Sequence, residues 1–343
     1  MSELSNLTSK QLILGINVLS ARVKEIISMQ IGFLIYKWKF VNPKTDSVLR
    51  VIRALIKNEA EVYLIYQDHL DYTQSTAKVF KINGQKIDDI YAFFETVYLA
   101  EETIDLNTLD CLVYSNVPPL DTTLIDYLYT LNGPKIINSL KGLSKVRFKD
   151  YVQELLPSDS DFIPKTCYTR SEFEAIEFIE SHPDQKQWIL KPNMGSGGND
   201  VVLINSNKSF WLKELTDYFA QQEDIVVVQE FLKAVAKGDT RILLLDGKPI
   251  GAMKRIPGEI HYLTNCSKGG RAIKHEITET EFAICQAVKK QLKKDGILFC
   301  GIDIIGDKLI EVNGLSPGGI GRINYLHNME VEIPIVDRIM RMV

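Results

Sequence analysis

The segment Phe299–Ile320, FCGIDIIGDKLIEVNGLSPGGI, carries Asp303, Glu311 and Asn313 on two apolar stretches joined by a turn at Gly306-Asp307. Two acids and an amide among residues that should be buried call for a cation. An all-oxygen set of this kind suits Mg²⁺ held between protein carboxylates and the phosphates of a nucleotide. Register decides whether the three can act together. Side chains alternate along a strand, so a three-residue loop sets Asp303 opposite Glu311 with Asn313 on the same face, while a two-residue loop sends the acids to opposite faces. The competing reading is a hairpin whose acids simply face water.

A second segment, Lys191-Pro-Asn-Met-Gly-Ser-Gly-Gly, offers exposed N–H groups and, through Gly195, Gly197 and Gly198, a backbone able to approach phosphate oxygens closely. It is not a Walker A loop. The GK[ST] ending is missing and the following DVVLI reads as a strand, where a P-loop would open a helix. A glycine loop between strands is instead a flap that can close over a triphosphate, with the Lys191 ammonium against it. The alternative is a plain glycine turn beside a solvated lysine. Arg241, Lys254 and Arg255 add basic side chains interleaved with apolar strand residues, which is costly unless they meet anions.

The elements that must position these residues fall into two halves. Apolar positions in residues 4–30 recur at helical spacing and predict an amphipathic helix. IGFLIYKW, EVYLIYQD and LDCLVYSN read as strands around the helix SVLRVIRALIKNEA, and a helix at 122–131 and a strand at 135–138 close a parallel-sheet domain. Beyond it the pattern predicts a helix at 145–156, strands CYTR, QWILKP, DVVLIN and DIVVVQEF with helices at 171–181 and 208–220, a hairpin turned at Asp246-Gly247, a helix at 279–294 and the acid-bearing hairpin. This half is α+β and mostly antiparallel. The 343 residues carry a net charge of -4, which argues against nucleic acid as a partner. Five cysteines without CxxC spacing fit a reducing, cytoplasmic setting, and no apolar run reaches membrane-spanning length.

With these residues in place the chain resembles the ATP-grasp superfamily, and within it the bacterial glutathione synthetases. The likeness runs from about Leu109 to Asn313 through LDCLVYSNVPPLDTTLIDYLYTL, KPNMGSGG, VVQEFLKAVAKGDTRILLLDGKPI, KRIP with TNCSKGGR, and GIDIIGDKLIEVNGLSP. The resemblance implies an N-terminal extension over 1–30, a Rossmann-like α/β domain over 31–138, and a two-lobed ATP-grasp domain over 139–343 with a lid at about 160–230. It implies that Lys149 and Lys191 contact phosphates under a loop of Gly195, Ser196, Gly197 and Gly198. Adenine would meet the hinge Gln229, Glu230, Phe231 and Leu232, and ribose Asp239. Arg241 and Arg255 would serve the acyl phosphate and the substrates, catalytic Asn265 with Gly269 and Gly270 the loop that folds over the substrates, Ser316, Gly318 and Gly319 the acceptor carboxylate, and Asp303, Glu311 and Asn313 two Mg²⁺ ions, or Mn²⁺ in their place.

Three departures fall on the substrate side. Ser115-Asn116-Val117 stand where the synthetases carry Arg-Lys-Asp, Leu263 replaces an arginine, and Gly318 replaces a threonine, giving a PGG ending like that of other ATP-grasp peptide ligases. The expected activity is therefore ATP-dependent condensation of a small carboxylate donor with an amine acceptor, γ-glutamylcysteine with glycine or a related pair, in a protein able to form homo-oligomers. Two alternatives stand beside it: a peptide- or protein-modifying ligase of the glutamate-adding type, and a non-catalytic nucleotide-binding module. For a ligase, Asp303→Asn and Glu311→Gln are each expected to abolish ADP formation with the fold near wild-type stability. No nucleophilic side chain is needed, which leaves His261, His275 and His327 as surface or packing residues.

Overall fold

The computed structural model describes residues 28–116, 120–157, 159–195, 197–259, 262–266 and 269–342; the predicted helix at 4–30 lies almost wholly outside them, as do Val117, Ser196 and His261. The first sheet follows the expected alternation only in part. Strands β1 (Gln30–Leu34), β2 (Glu61–Ile65), β5 (Cys111–Tyr114) and β6 (Lys135–Ile137) run parallel, with helix α1 (Ser47–Lys57) crossing between the first two. On the outer side of β2 the chain adds an antiparallel pair, β3 (Thr76–Asn83) and β4 (Tyr98–Asp105), with α2 (Ile90–Thr96) between them, giving the order β4-β3-β2-β1-β5-β6. Helix α3 (Thr122–Thr130) precedes β6. Asp46 caps α1 by accepting the Leu49 N–H, so the helix starts where the sequence supplies a carboxylate.

The predicted helix at 145–156 is two short helices, α4 (Leu140–Val146) and α5 (Tyr151–Leu155), and Lys149 sits on the turn between them. A four-stranded antiparallel sheet follows, ordered β7 (Thr166–Thr169), β10 (Val226–Glu230), β8 (Gln187–Pro192), β9 (Val202–Asn205). Helices α6 (Glu172–Glu180) and α7 (Trp211–Phe219) cover it around the fully buried Trp188. The last sheet runs β13 (Arg271–Lys274), β12 (Lys248–Ile256), β11 (Asp239–Leu245), β14 (Phe299–Ile305), β15 (Lys308–Asn313). Its even-numbered residues, Ile242, Leu244, Ile302 and Ile304, pack on Ile284, Val288 and Leu292 of α8 (Glu279–Lys294), which opens with a Thr278/Glu281 capping box. The odd-numbered face is then left for chemistry. Helices α9 (Ile320–His327) and α10 (Glu332–Met340), which the sequence reading did not anticipate, bury the far end of that face together with α1. Among the described residues no helix is long and apolar enough to cross a membrane.

One side chain fastens the two halves. Asn138, 4% exposed at the end of β6, donates to the carbonyls of Phe299 and Gly314, both at 2.8 Å, and accepts the N–H groups of Leu298 at 2.7 Å and Phe299 at 2.9 Å. A buried amide with all its capacity used cannot be replaced without leaving donors and acceptors bare. Asn138→Ala is expected to cost roughly 3 kcal/mol or more of unfolding free energy, read as a lower denaturant midpoint at unchanged m-value, and Asn138→Asp to cost a comparable amount because both donated bonds are lost.

Candidate active site

The acid-bearing hairpin meets the geometric requirement by an unexpected route. Its turn has two residues, Gly306 and Asp307, since Ile305 pairs with Lys308 and Ile304 with Leu309. That register alone would send Asp303 and Glu311 to opposite faces. A β-bulge between Asp303 and Ile304 makes Ile310 an extra residue, so that Asp303 pairs with Glu311 and Gly301 with Asn313. The three side chains share one face.

On the same face Asp303 is also the cross-strand partner of Arg241, and Asp239 that of Arg255. The Arg241 guanidinium grips both Asp303 oxygens, with Nη2 2.7 Å from Oδ2, and Arg255 reaches the same oxygen at 3.0 Å while binding both oxygens of Asp239. All four side chains are buried. The arginines do meet anions, and the anions are the protein's own. Burial works to raise the Asp303 carboxyl, but the Arg241 and Arg255 charges outweigh it and hold it well below the usual carboxylate range. Gly301 makes room for this: a Cβ there would stand 3.0 Å from the Arg241 Cδ. Arg241 also donates to the Gly318 carbonyl at 3.1 Å.

Across a cleft from this row stand the two lysines. Lys191, 7% exposed near the end of β8, donates to Gln229 Oε1 at 3.0 Å, and Gln229 in turn donates to the Thr166 hydroxyl, which ties the ammonium to three strands of its sheet. Burial pushes Lys191 down to about 8, with Glu311 opposing, and burial likewise lowers Lys149, again against the pull of Glu311. The cleft between the sheets is lined by Lys149, Lys191, Gly197 and Gly198 on one side and by Asp239, Arg255, Asp303 and Glu311 on the other. Gln229, Glu230, Phe231 and Leu232 form its back, and Asn265 closes it. A Cβ on Gly198 would come within 2.9 Å of the Asn265 side-chain oxygen, so the two loops touch over the cleft; Leu263 packs beside them where the resemblance implied an arginine.

A second cleft, of about 560 Å³, adjoins the first through Lys149 and Glu311, which line both. Gly195, Asn313, Ser316 and Gly318 contribute to its wall, as do Tyr36, Asn42, Thr45, Asp46 and Ser47 from the first sheet's β1–α1 connection and the start of α1. Those five residues carried no motif, and only the fold brings them here. Gly318 has open space where a Cβ would be. Four expected site residues among those described line neither cleft: Arg241 is taken up by Asp303 and the Gly318 carbonyl, Gly269 and Gly270 lie behind the Asn265 loop, Gly270 donating to the Asn265 carbonyl at 3.1 Å, and Gly319 gives its N–H to the Ser47 hydroxyl at 3.1 Å. His275 pairs with Glu281, and His327 with the Ala252 carbonyl, which makes both packing residues.

The donor set fits a hard divalent cation: Asp303, Glu311 and Asn313 present oxygen-bearing side chains on one face, beside two lysines suited to phosphate. Asp303 would have to trade arginine N–H contacts for the metal, and Asn313, whose Nδ2 lies 3.2 Å from Asp303, would turn its oxygen inward. The same contacts revise one expectation. Removing the Asp303 charge leaves two buried arginines short of a partner, so Asp303→Asn destabilises the fold, while Glu311, half-buried and free of arginine, can be neutralised at little structural cost.

Lys191 makes a pH signature. Its folded pKa of about 8 lies below the ordinary 10.5, so the unfolded chain holds the extra proton and stability rises as pH climbs from about 8 towards 10.5. Denaturant unfolding of the wild type and Lys191→Met should show the wild type gaining about 2 kcal/mol on the variant between pH 7 and 9.5.

Comparison with known proteins agrees with this geometry. The family profile of the prokaryotic glutathione synthetase ATP-grasp domain matches residues 154–328, and that of the prokaryotic glutathione synthetase N-terminal domain matches residues 29–143. The glutathione synthetase of Thermosynechococcus vestitus is 35% identical over 228 residues, 65% of this chain and 69% of that protein. The glutathione synthetase of Vibrio parahaemolyticus is 29% identical over 329 residues, 92% of this chain and 99% of that protein. Among solved structures, D-cycloserine synthetase DcsG overlays with a TM-score of 0.62 at 10% identity, covering 90% of this chain and 99% of its own, a likeness of fold alone. On the profiles and the curated relatives, this chain belongs to the prokaryotic glutathione synthetase family and is an ATP-dependent ligase that uses Mg²⁺ and forms an amide bond.

Proposed function

We propose that this protein condenses a carboxylate donor of dipeptide size with an amino acid, γ-glutamylcysteine and glycine being the first pair to try, by way of an acyl phosphate. The observation that carries the reading is the junction of the two clefts at Lys149 and Glu311, which sets the phosphate end of one against the substrate space of the other. Adenine enters against the hinge. The Phe231 N–H and carbonyl are engaged by Gln187 and Gln185, the Glu230 N–H by the Lys165 carbonyl and the Leu232 carbonyl by the Val235 N–H, which leaves the Glu230 carbonyl and the Leu232 N–H as the groups to read the base. A donor carboxylate in the second cleft attacks the γ-phosphorus, the bond to the bridging oxygen breaks, and ADP leaves with that electron pair. Lys149 and Lys191 balance charge on the transferring group. The amine then attacks the acyl carbon, the bond to the phosphate oxygen breaks, and the amine gives up a proton as phosphate departs.

Bound Mg²⁺, as two ions shared by Asp303, Glu311 and Asn313, would neutralise phosphate charge; Mn²⁺ has the same ligand preferences. The contact of the glycine loop with Asn265 supports exclusion of water from the acyl phosphate. The uncharged Ser115 and the open space at Gly318 favour a donor or acceptor that differs from the synthetases' own, which keeps the glutamate-adding class of peptide ligase as the second reading. Five free cysteines support work in a reducing compartment.

The test is ADP and phosphate release with a panel of amino acids and dipeptides, each supplied as donor, acceptor or both. Release that needs a donor and an acceptor together is expected; nucleotide binding with no release for any pair would overturn the ligase reading of these substrates in favour of a peptide or protein acceptor or a binding module. Glu311→Gln should lose ADP formation by at least about a hundredfold with an unchanged melting temperature, and Asp303→Asn should lose activity and also about 3 kcal/mol of stability. Full activity in either variant would remove the metal assignment.

A further inference from the structure

Lys149 and Lys191 lie on different segments, one on the turn after α4 and the other on β8, yet phosphate recognition needs them at a fixed separation. The link between them is Asn193, 2% exposed and outside both clefts. Its carbonyl accepts the Lys149 N–H at 2.9 Å, its Oδ1 accepts the Asp150 N–H at 3.0 Å, and its Nδ2 donates to Asp150 Oδ2 at 3.0 Å. Next to it Phe148 and Met194 form a β-bridge, and the Lys149 ammonium donates to the Gly195 carbonyl at 3.1 Å. The turn at 148–150 is thus zipped onto the strand end that leads into the glycine loop. A turn between two short helices would not otherwise hold a lysine in one place.

We propose that Asn193 and Asp150 are positioning residues that make Lys149 part of the glycine-loop unit, so that both lysines and the loop engage the nucleotide phosphates as one body. The proposal rests on the nucleotide reading of the first cleft. It extends that reading, because Lys149 also lines the second cleft: a shift of the glycine loop moves the lysine that faces the donor carboxylate. The contact is built from two side-chain bonds and one backbone bond, and the side-chain bonds can be removed or reversed by substitution. In the reciprocal pair Asn193→Asp with Asp150→Asn, the new carboxylate still accepts the residue-150 N–H and the new amide donates back to it.

A double-mutant cycle on full-length protein decides it, read by calorimetric affinity for Mg-ATP and by kcat and KM for ATP and donor. Asn193→Leu should weaken Mg-ATP about tenfold and lower kcat with the wild-type Lys149, because displacing a charge by about an ångström has effects of this order. In a Lys149→Met background the same substitution should change affinity less than about twofold, since its effect passes through that ammonium. The reciprocal pair should return affinity to within about threefold of wild type. An equal loss in both backgrounds would mean a merely structural role and would overturn the proposal, as would no loss from Asn193→Leu. Affinity does not depend on amide formation, so a wild type that binds nucleotide but makes no product sinks the ligase reading while the cycle still judges the clamp. A wild type that binds no Mg-ATP sinks the clamp.

Discussion

Charges shut inside a sheet must answer one another, and that requirement organises this molecule's functional half. Asp239, Arg255, Asp303 and Arg241 form a continuous buried row across β12, β11 and β14, two negative and two positive. Each is costly alone, and the set is affordable because every guanidinium is matched by a carboxylate in bidentate geometry. The row exists only because the opposite face of the same strands is apolar enough to hold α8, which commits alternate residues to the interior and their neighbours to the cleft. Gly301 and the bulge at Ile310 are local adjustments in service of the row.

The clefts follow from how three sheets are held around it. Asn138 fixes the first sheet to the root of β14 and β15, the four-stranded sheet brings Lys191 and its loop over the charged face, and the β1–α1 connection walls the substrate side. Positive charge above and a mixed row below give a space suited to a polyanion with a cation among its oxygens. The junction at Lys149 and Glu311 is where chemistry can pass from one bound molecule to another.

Much of this was legible in the sequence, and the failures have physical causes. Short apolar runs make QWILKP, DIVVVQEF and the last hairpin readable as strands, and the same holds for the parallel β1, β2 and β5. The β3–β4 pair escaped because its strands are half-exposed at a sheet edge, with burial alternating along β3 and almost none along β4. The run at 145–156 has helical periodicity, but the bonds of Lys149 and Asp150 to Asn193 hold the turn open, a tertiary override of local preference. The sequence presents the arginines as waiting for ligand anions, since cross-strand partners 16 residues away for Arg255 and 62 for Arg241 are not marked along the chain. Tyr36, Asn42 and Ser47 were invisible for the same reason: nothing in their spacing marks them, and only the docking of one sheet on another gives them a cleft to line.

The bulge at Ile310 also changes what kind of alteration this site can tolerate. Side-chain identity at 310 matters little to the pairing, because the residue is the surplus one, but the number of residues between the turn and Glu311 is fixed by parity. Losing one residue there would rotate Glu311 and Asn313 away from Asp303 together, with every chemical group still present in the chain. The most fragile property of the metal-facing wall is therefore a length, and a chain that kept every motif residue but was one residue shorter at this point would read as intact while having lost its site.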